Sequence, residues 1–495
     1  MTDQKGSYKQ IVKATTIFGG ANLFKVLAAL LKGKLLALFL GPDGMGINSL
    51  FVSSTNVITN VTGLGLNFSA VRNISQAKES GDISKFSKTL SVFKKLVMFT
   101  ALFGFAATIL LSPLLSRFTF GSDKYVISFV LLGLMVFFTA LSSGYASIIQ
   151  GVRDIKNYGK QIVVSSLLSL VAIAPLYYFF RMDAIIPALI AGAFITYLVV
   201  LYYSKESGAI KVNVGRREVI AEGREMLKLG IAMMVATSIG ALMHYLVNTF
   251  VTNYGSLSDQ GLYQAAISIT NQSVGLIFSA MAVDFYPKLA AVCNDNSKVR
   301  EMVNQQGEVM VLISAPILAM LVVFSPLAIR VLLSAEFLPS ADMVRIFALG
   351  MLFKAASYSI GAISFAKGDK RVFFVLEGLY TNFSMLLFLA LGYIVGGLMG
   401  LAWSFTIMHA VYLAVIIFVT GKLYKYRLSA NYIKIFLIQL FFITTAAVSS
   451  LVLDNVSAIA VGISTIALSF IFSYRELDKL IGVKSLLDKV LKRKV

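Results

Sequence analysis

VISFVLLGLMVFFTALSSGYASII, residues Val126–Ile149, runs for twenty-four positions without a charge. As a helix it covers about 36 Å at 1.5 Å per residue, enough to cross the ~30 Å hydrocarbon layer of a bilayer. Comparable runs recur at Val97–Leu111, at Ile162–Phe180 and, with their flanks, at Val411–Thr420. Over all 495 residues 57% are hydrophobic and 14% charged, with a mean hydropathy of +0.80. Too little polar surface is left to cover a water-soluble globule, so the runs read as membrane spans rather than core helices.

The formal net charge is +20, from 44 Lys and Arg against 24 Asp and Glu. In a soluble chain that excess points to nucleic acid; here its placement decides its meaning. With the N-terminus in the cytoplasm, roughly 35 of the 44 basic residues fall in inner loops or tails, about 4 outside and about 5 within spans, a positive-inside pattern. The outer set is Arg117, Lys124, Arg181 and Arg330. The inner set includes Lys85, Lys88, Lys94, Lys95, Arg216, Arg217, Arg224, Lys492, Arg493 and Lys494. The charge therefore reports topology, and no nucleic-acid partner is expected.

Apolar runs separated by Gly, Pro or charge clusters give about fourteen helices, near 15–40, 46–70, 90–112, 125–150, 160–180, 184–203, 228–252, 260–285, 304–325, 341–366, 372–393, 397–420, 433–452 and 455–473. The expected fold is an all-α polytopic membrane protein with both termini cytoplasmic. It divides into a six-helix bundle over 1–204, an amphipathic cytoplasmic linker over 205–227, a second six-helix bundle over 228–420, two additional helices over 421–473, and a basic cytoplasmic tail over 474–495 expected to lie on the membrane as an amphipathic helix. Met1–Lys13 is polar and basic, and the helix after it lacks a small-residue cleavage site, so it reads as an uncleaved first span.

An internal repeat supports the division. A shift of 215 positions superposes Gly46 on Gly261, Ser53 on Ser268, Thr55 on Thr270 and Asn56 on Asn271. A repeat of six spans preserves orientation, so the halves are expected to be parallel repeats enclosing a central cavity. Asn56 and Asn271 are candidate cavity residues; the bland alternative is that each bonds across to a neighbouring helix.

Ionisable groups at membrane depth are costly and face a cavity or a partner. Lys25, Lys32 and Lys34 fall in the first span, Arg345 and Lys354 in the tenth, Glu377 in the eleventh and His244 in the seventh. Lys25 and Lys32 are seven residues apart and share a helix face with Asn22, whereas Lys34 points nearly opposite. Lys25 lies about 12 Å deep, too far for easy snorkelling, while Lys32 and Lys34 are nearer the outer surface. Lys354, in mid-span, has no route to an interface. Converging lysines would attract a dianionic head group such as pyrophosphate. Glu377 reads equally as a counter-ion to Lys354 or as the site of a coupling ion, and Arg345 and His244 read as structural.

No G-x-x-x-x-G-K-[ST] phosphate loop occurs, which excludes a self-contained ATP-driven pump. Two histidines, the single Cys293 and no H-E-x-x-H argue against a metal enzyme or a disulfide framework, so neither metal nor cofactor is expected. The outer carboxylates Asp43, Asp123, Asp183, Asp259, Glu336 and Asp454 are scattered, which disfavours a glycan-joining enzyme.

Two stretches carry a family resemblance. Leu23–Gly46, LFKVLAALLKGKLLALFLGPDGMG, and Leu352–Glu377, LFKAASYSIGAISFAKGDKRVFFVLE, resemble the polysaccharide flippases of the multidrug/oligosaccharidyl-lipid/polysaccharide exporter superfamily, in particular the O-antigen and enterobacterial common antigen translocases. Lys25, Lys34, Lys354 and Glu377 stand where that family has such residues; Lys32 has no counterpart there. The resemblance implies a non-enzymatic flippase of the bacterial inner membrane. It would move an undecaprenyl-pyrophosphate-linked oligosaccharide from inner to outer leaflet by alternating access, in lipopolysaccharide or related polysaccharide biosynthesis. Expected partners are that lipid-linked substrate and the bilayer; a glycan polymerase, chain-length proteins, and H+ or Na+ as a coupling ion are open possibilities. A cation-coupled multidrug exporter of the same superfamily is the alternative, for which acidic cavity residues would be expected.

Overall fold

A computed structural model describes residues 2–205, 212, 214–453 and 455–482. Within the bilayer the backbone must satisfy its own hydrogen bonds, and one-segment helices do so completely. The described residues form helices α1 (Thr2–Thr62), α2 (Leu66–Glu79), α3 (Ile83–Phe120), α4 (Val126–Gly151), α5 (Ile155–Phe180), α6 (Ile185–Ser204), α7 (Arg216–Tyr254), α8 (Leu257–Ala291), α9 (Asn296–Val323), α10 (Ser325–Leu332), α11 (Ala341–Ala366), α12 (Lys370–Phe373), α13 (Thr381–Tyr424), α14 (Ala430–Val452) and α15 (Asn455–Ile481).

Two of these are hairpins of two helices each. The backbone leaves helical geometry at Gly41 (φ 63°), just before Pro42, and at Gly396 and Gly397 (φ 56° at Gly397). A positive φ is costly for any side chain but glycine's. With α1 and α13 each divided there, the described residues contain fourteen long helical segments, in agreement with the expected number. The chain is a multi-pass, all-helical integral membrane protein. Polar caps close helices at the loops: Asp82 accepts from the backbone N–H groups of Ser84 and Lys85, and Asp295 from those of Ser297 and Lys298. The Lys298 and Ser297 amides hold the Asp295 carboxyl below the usual carboxylate range.

Packing divides the chain into two compact units, Met1–Gly261 and Leu262–Val495. In the first, α7 packs on α1, α2 and α3, with Leu66, Phe93, Leu96, Leu141, Ile148 and Met226 in one buried cluster. Helix α7 begins at Arg216, so 216–227 is the first part of a long helix rather than a separate surface segment. Lys88 bridges to Glu218 at 3.2 Å and Glu222 at 2.8 Å, and Lys95 donates to the Val214 carbonyl, fixing that part to α3. Residues 206–211 and 213 lie outside the described residues.

The second unit is centred on α9 and α11, whose apolar windows are 72% and 78% buried. Helices α14 and α15 both pack on α9. Gln439 of α14 donates to Ser473 at 2.8 Å and accepts from Ser469 at 2.7 Å, joining α14 to α15. The basic tail does not begin as a separate element: Tyr474–Ile481 continues α15, and 483–495 lie outside the described residues.

The connector into α14 is held by Asn304. Its amide nitrogen donates to the Arg300 and Arg427 carbonyls, and its oxygen accepts from the Tyr426 hydroxyl and the Ser429 N–H. Each such buried bond contributes about 1 kcal/mol net, and stranding its partner costs more. Asn304→Ala is therefore expected to destabilise the second unit by about 2–4 kcal/mol, seen as a lower thermal midpoint in detergent and faster proteolysis at 425–429. An unchanged midpoint would show that the connector is not fixed by this residue.

Candidate functional site

In the first unit α1, α4, α5 and α6 line an open cavity of about 380 Å³. Helix α1 supplies Asn22, Lys25, Ala28, Ala29 and Lys32, a three-four spacing that keeps them on one face. Helix α5 supplies Tyr158, Gln161, Ser165, Ser166 and Ser169 at the same spacing, while Ser142 and Ser143 of α4 and Thr196 of α6 complete the polar wall.

Several of its hydroxyls are already bonded to their own helix backbone. Ser142 donates to the Thr139 carbonyl, Ser165 to Ile162 and Thr196 to Gly192. Such hydroxyls keep their lone pairs and can redirect their protons. Gln161, Ser142 and Ser165 are buried, Lys32 is half-buried and Lys25 is exposed. No carboxylate lines the cavity, and among the described residues none lies within ion-pair distance of Lys25 or Lys32. Two lysines whose backbone positions are about 10.5 Å apart along the helix axis thus share a cavity with hydroxyl and amide side chains. Lysine ammonium groups beside hydroxyl and amide side chains are the donor types that suit an anion with several oxygens.

Lys34 is half-buried and not among the lining residues, as its opposite position on the helix implies. The second unit holds Lys354 on α11, half-buried, beside the buried His409 of α13, which is within its electrostatic reach and packs on Phe405. Glu377 occupies a π-helical stretch, Phe374–Tyr380, between α12 and α13. Its carboxylate accepts from the Tyr412 hydroxyl and lies against Gly361 of α11. Among the described residues no ion pair joins Glu377 to Lys354; the Tyr412 phenol is its hydrogen-bond partner. Arg345 is held by Asp342 at 2.5 Å and by the Val322 carbonyl, and His244 by Asn248, as structural roles require.

Asn56 is exposed on α1 and Asn271 half-buried on α8; neither lines the lysine cavity. The repeat's glycines do have a visible purpose. Gly46 lies against the Leu257 carbonyl and Gly261 against that of Pro42, leaving no room for a Cβ at either. The polar face of α5 and the His409 and Tyr412 neighbours escaped the sequence reading. For α5 a signal existed, since Gln161, Ser165 and Ser169 recur every fourth residue.

The family model described as polysaccharide biosynthesis protein matches residues 35–342. The lipid III flippase of Escherichia coli K12 is 23% identical over 408 residues, covering 81% of this chain and 96% of that protein. Among solved structures, the lipid II flippase MurJ in an inward closed conformation superposes with a TM-score of 0.73 at 16% identity, over 93% of this chain and 99% of the other. A multidrug resistance MATE family transporter of the MOP superfamily, inward-facing, gives 0.69 at 14% identity, over 81% and 94%. At such identities the likeness establishes a shared fold.

Proposed function

Since the chain belongs to the polysaccharide biosynthesis protein family and has the fold of MOP-superfamily transporters, we propose that it is a flippase for a lipid-linked oligosaccharide. The substrate is an oligosaccharide on a polyprenyl diphosphate, of the undecaprenyl class, moved from the inner to the outer leaflet of a bacterial inner membrane by alternating access. In this reading both termini are cytoplasmic, which the distribution of Lys and Arg supports. An O-antigen repeat unit of lipopolysaccharide is one cargo of this description.

The observation that carries this reading is the cavity of Lys25 and Lys32, cationic and free of carboxylates. A diphosphate offers both lysines acceptor oxygens, and the α5 hydroxyls and Gln161 suit the adjoining sugar. Lys354, with Lys34, Asn56 and Asn271, supplies candidate contacts for other stages of transport. Glu377, bound to Tyr412 rather than to a cation, is the candidate for coupling to H+ or Na+. The opposite charge would be needed for export of cationic drugs.

The test is transport of a fluorescent undecaprenyl-diphosphate glycan in liposomes containing the purified protein. Time-dependent loss of the label from one leaflet is expected, with no change in resistance to cationic dyes in a deletion strain. Dye sensitivity without glycan movement would overturn the reading. In the same assay Tyr412→Phe, which strips Glu377 of its donor, is expected to shift the pH or Na+ dependence of the rate; an unaltered dependence on both would remove Glu377 from coupling.

A further inference from the structure

The turns that lead into α5 and into α12 are one structure built twice, displaced by the 215 positions of the internal repeat. Arg153 (φ 57°) and Gly368 (φ 70°) both turn left-handed. An aspartate follows each and caps the next helix: Asp154 accepts from the Asn157 N–H and Asp369 from the Val372 N–H. The backbone bonds correspond as well. Asp154 donates its N–H to the Ile149 carbonyl at 3.1 Å, and Asp369 to the Ser364 carbonyl at 3.0 Å.

One contact recurs with its donor exchanged. In the first unit Lys78, in the last turn of α2, donates at 2.7 Å to the carbonyl of Val152, the residue that closes α4. The position 215 residues after Val152 is Lys367. In the second unit it is Lys367 that donates, at 2.6 Å, to the carbonyl of Cys293, two residues beyond the end of α8. The connection after α2 is thus joined to the one after α4, and the connection after α8 to the one after α11, with the ammonium coming from opposite sides. A backbone carbonyl is present whatever the side chain, and a cation beside the last carbonyls of a helix is favoured by its dipole, so either side can supply the lysine. The two halves share the fastening, not the residue. Each fastening is reinforced. Glu79 bridges to Arg153 at 2.7 Å, which holds an arginine in a left-handed turn that is costly for it, and Lys367 also donates to the Asn296 side chain at 2.7 Å.

Helix α5 begins directly after Asp154 and carries Tyr158, Gln161 and Ser165 of the cavity wall. Helix α12 begins directly after Asp369 and leads into the π-helical stretch that holds Glu377. We propose that Lys78 and Lys367 are equivalent positioning residues for transport. Each ties the start of the helix that carries its unit's candidate site to a neighbouring connection, so that this helix moves with its unit as one body. The consequence for transport rests on the flippase reading; the fastening itself does not.

Backbone hydrogen exchange of the full-length protein in liposomes reads the fastening without any substrate. Lys78→Met keeps the apolar stem and removes the charge; it is expected to raise exchange over residues 152–158 about tenfold, the fold-change equivalent to one charge-assisted hydrogen bond. Lys367→Met should do the same over 367–373. Ala291 is exposed and stands four residues before the Asp295 cap, as Lys78 stands four before Asp82. Lys367→Ala/Ala291→Lys therefore moves the donor to the side that the first unit uses, and should restore protection to within about twofold. In the liposome assay with fluorescent undecaprenyl-diphosphate glycan, both methionine variants should lose about tenfold in maximal rate while the half-saturating concentration moves less than about threefold, since Lys25 and Lys32 are untouched. Lys78→Arg, Lys367→Arg and the exchanged donor should recover the rate. Unchanged exchange in the methionine variants, raised exchange with full transport, or an exchanged donor that restores neither would each overturn the proposal. A parent protein that moves no glycan overturns the flippase reading instead, and the exchange measurement still decides whether the two lysines fasten their turns.

Discussion

Lys25→Ala/Lys32→Ala is expected to abolish delivery of glycan to the cell surface while leaving the protein inserted at its normal level. On the proposed reading each lysine would contribute one charge-assisted contact to the diphosphate, about 1.5–3 kcal/mol apiece. Their joint loss lowers affinity roughly a hundredfold or more. The cavity contains no carboxylate that would be left unpaired by the change, so the fold loses little and two unfavourable charges leave the bilayer. Lys25→Arg/Lys32→Arg keeps the charge and should retain export to within about tenfold. Surface glycan measured by lectin binding, with protein quantified in the membrane fraction, separates these outcomes. Normal display in the double alanine variant would remove the cavity from the transport path.

The second large effect is expected at Gly46. Its α-carbon hydrogens meet the backbone carbonyl of Leu257, and the opposing Gly261 meets that of Pro42. A backbone atom cannot rotate away as a side chain does, so added volume must displace the backbone at this contact. Gly46→Val is expected to cost about 3 kcal/mol or more, the upper range for overpacking. It should appear as aggregated protein on gel filtration in detergent. Gly46→Ala, carrying only the Cβ, should already lower the thermal midpoint. If the alanine variant melts with the parent, the helices are not in backbone contact at this crossing.

Much of the architecture was legible because lipid leaves a helix few disguises. Runs such as Val126–Ile149 must be helical, and glycines such as Gly41 and Gly397 fall at the tight turns between them. The lysines stood out for the same reason: a charge inside an apolar run is a contradiction that a cavity resolves, and Lys25 and Lys32 do share one. The hydroxyl wall of α5 was less visible. Serine in a membrane helix can satisfy itself on its own carbonyls, as Ser165 does on Ile162, so its presence alone signals nothing. The pairing of Glu377 with Tyr412 was beyond reach, since thirty-five residues separate them and only the packing of α13 against its neighbours brings them together. The start of α7 was misplaced because Arg216–Lys228 is polar and charged; the salt bridges of Lys88 and the continuity of the helix outweigh that composition.

Helices α9 and α11 are wrapped by protein, whereas the windows of α13, α14 and α15 are about one-third buried or less. Hydrophobic mismatch is therefore felt unevenly. In a thinner or thicker bilayer the peripheral helices tilt and their flanking residues adjust. Lys354, carried on shielded α11, receives that strain only second-hand, through neighbours already locked in place.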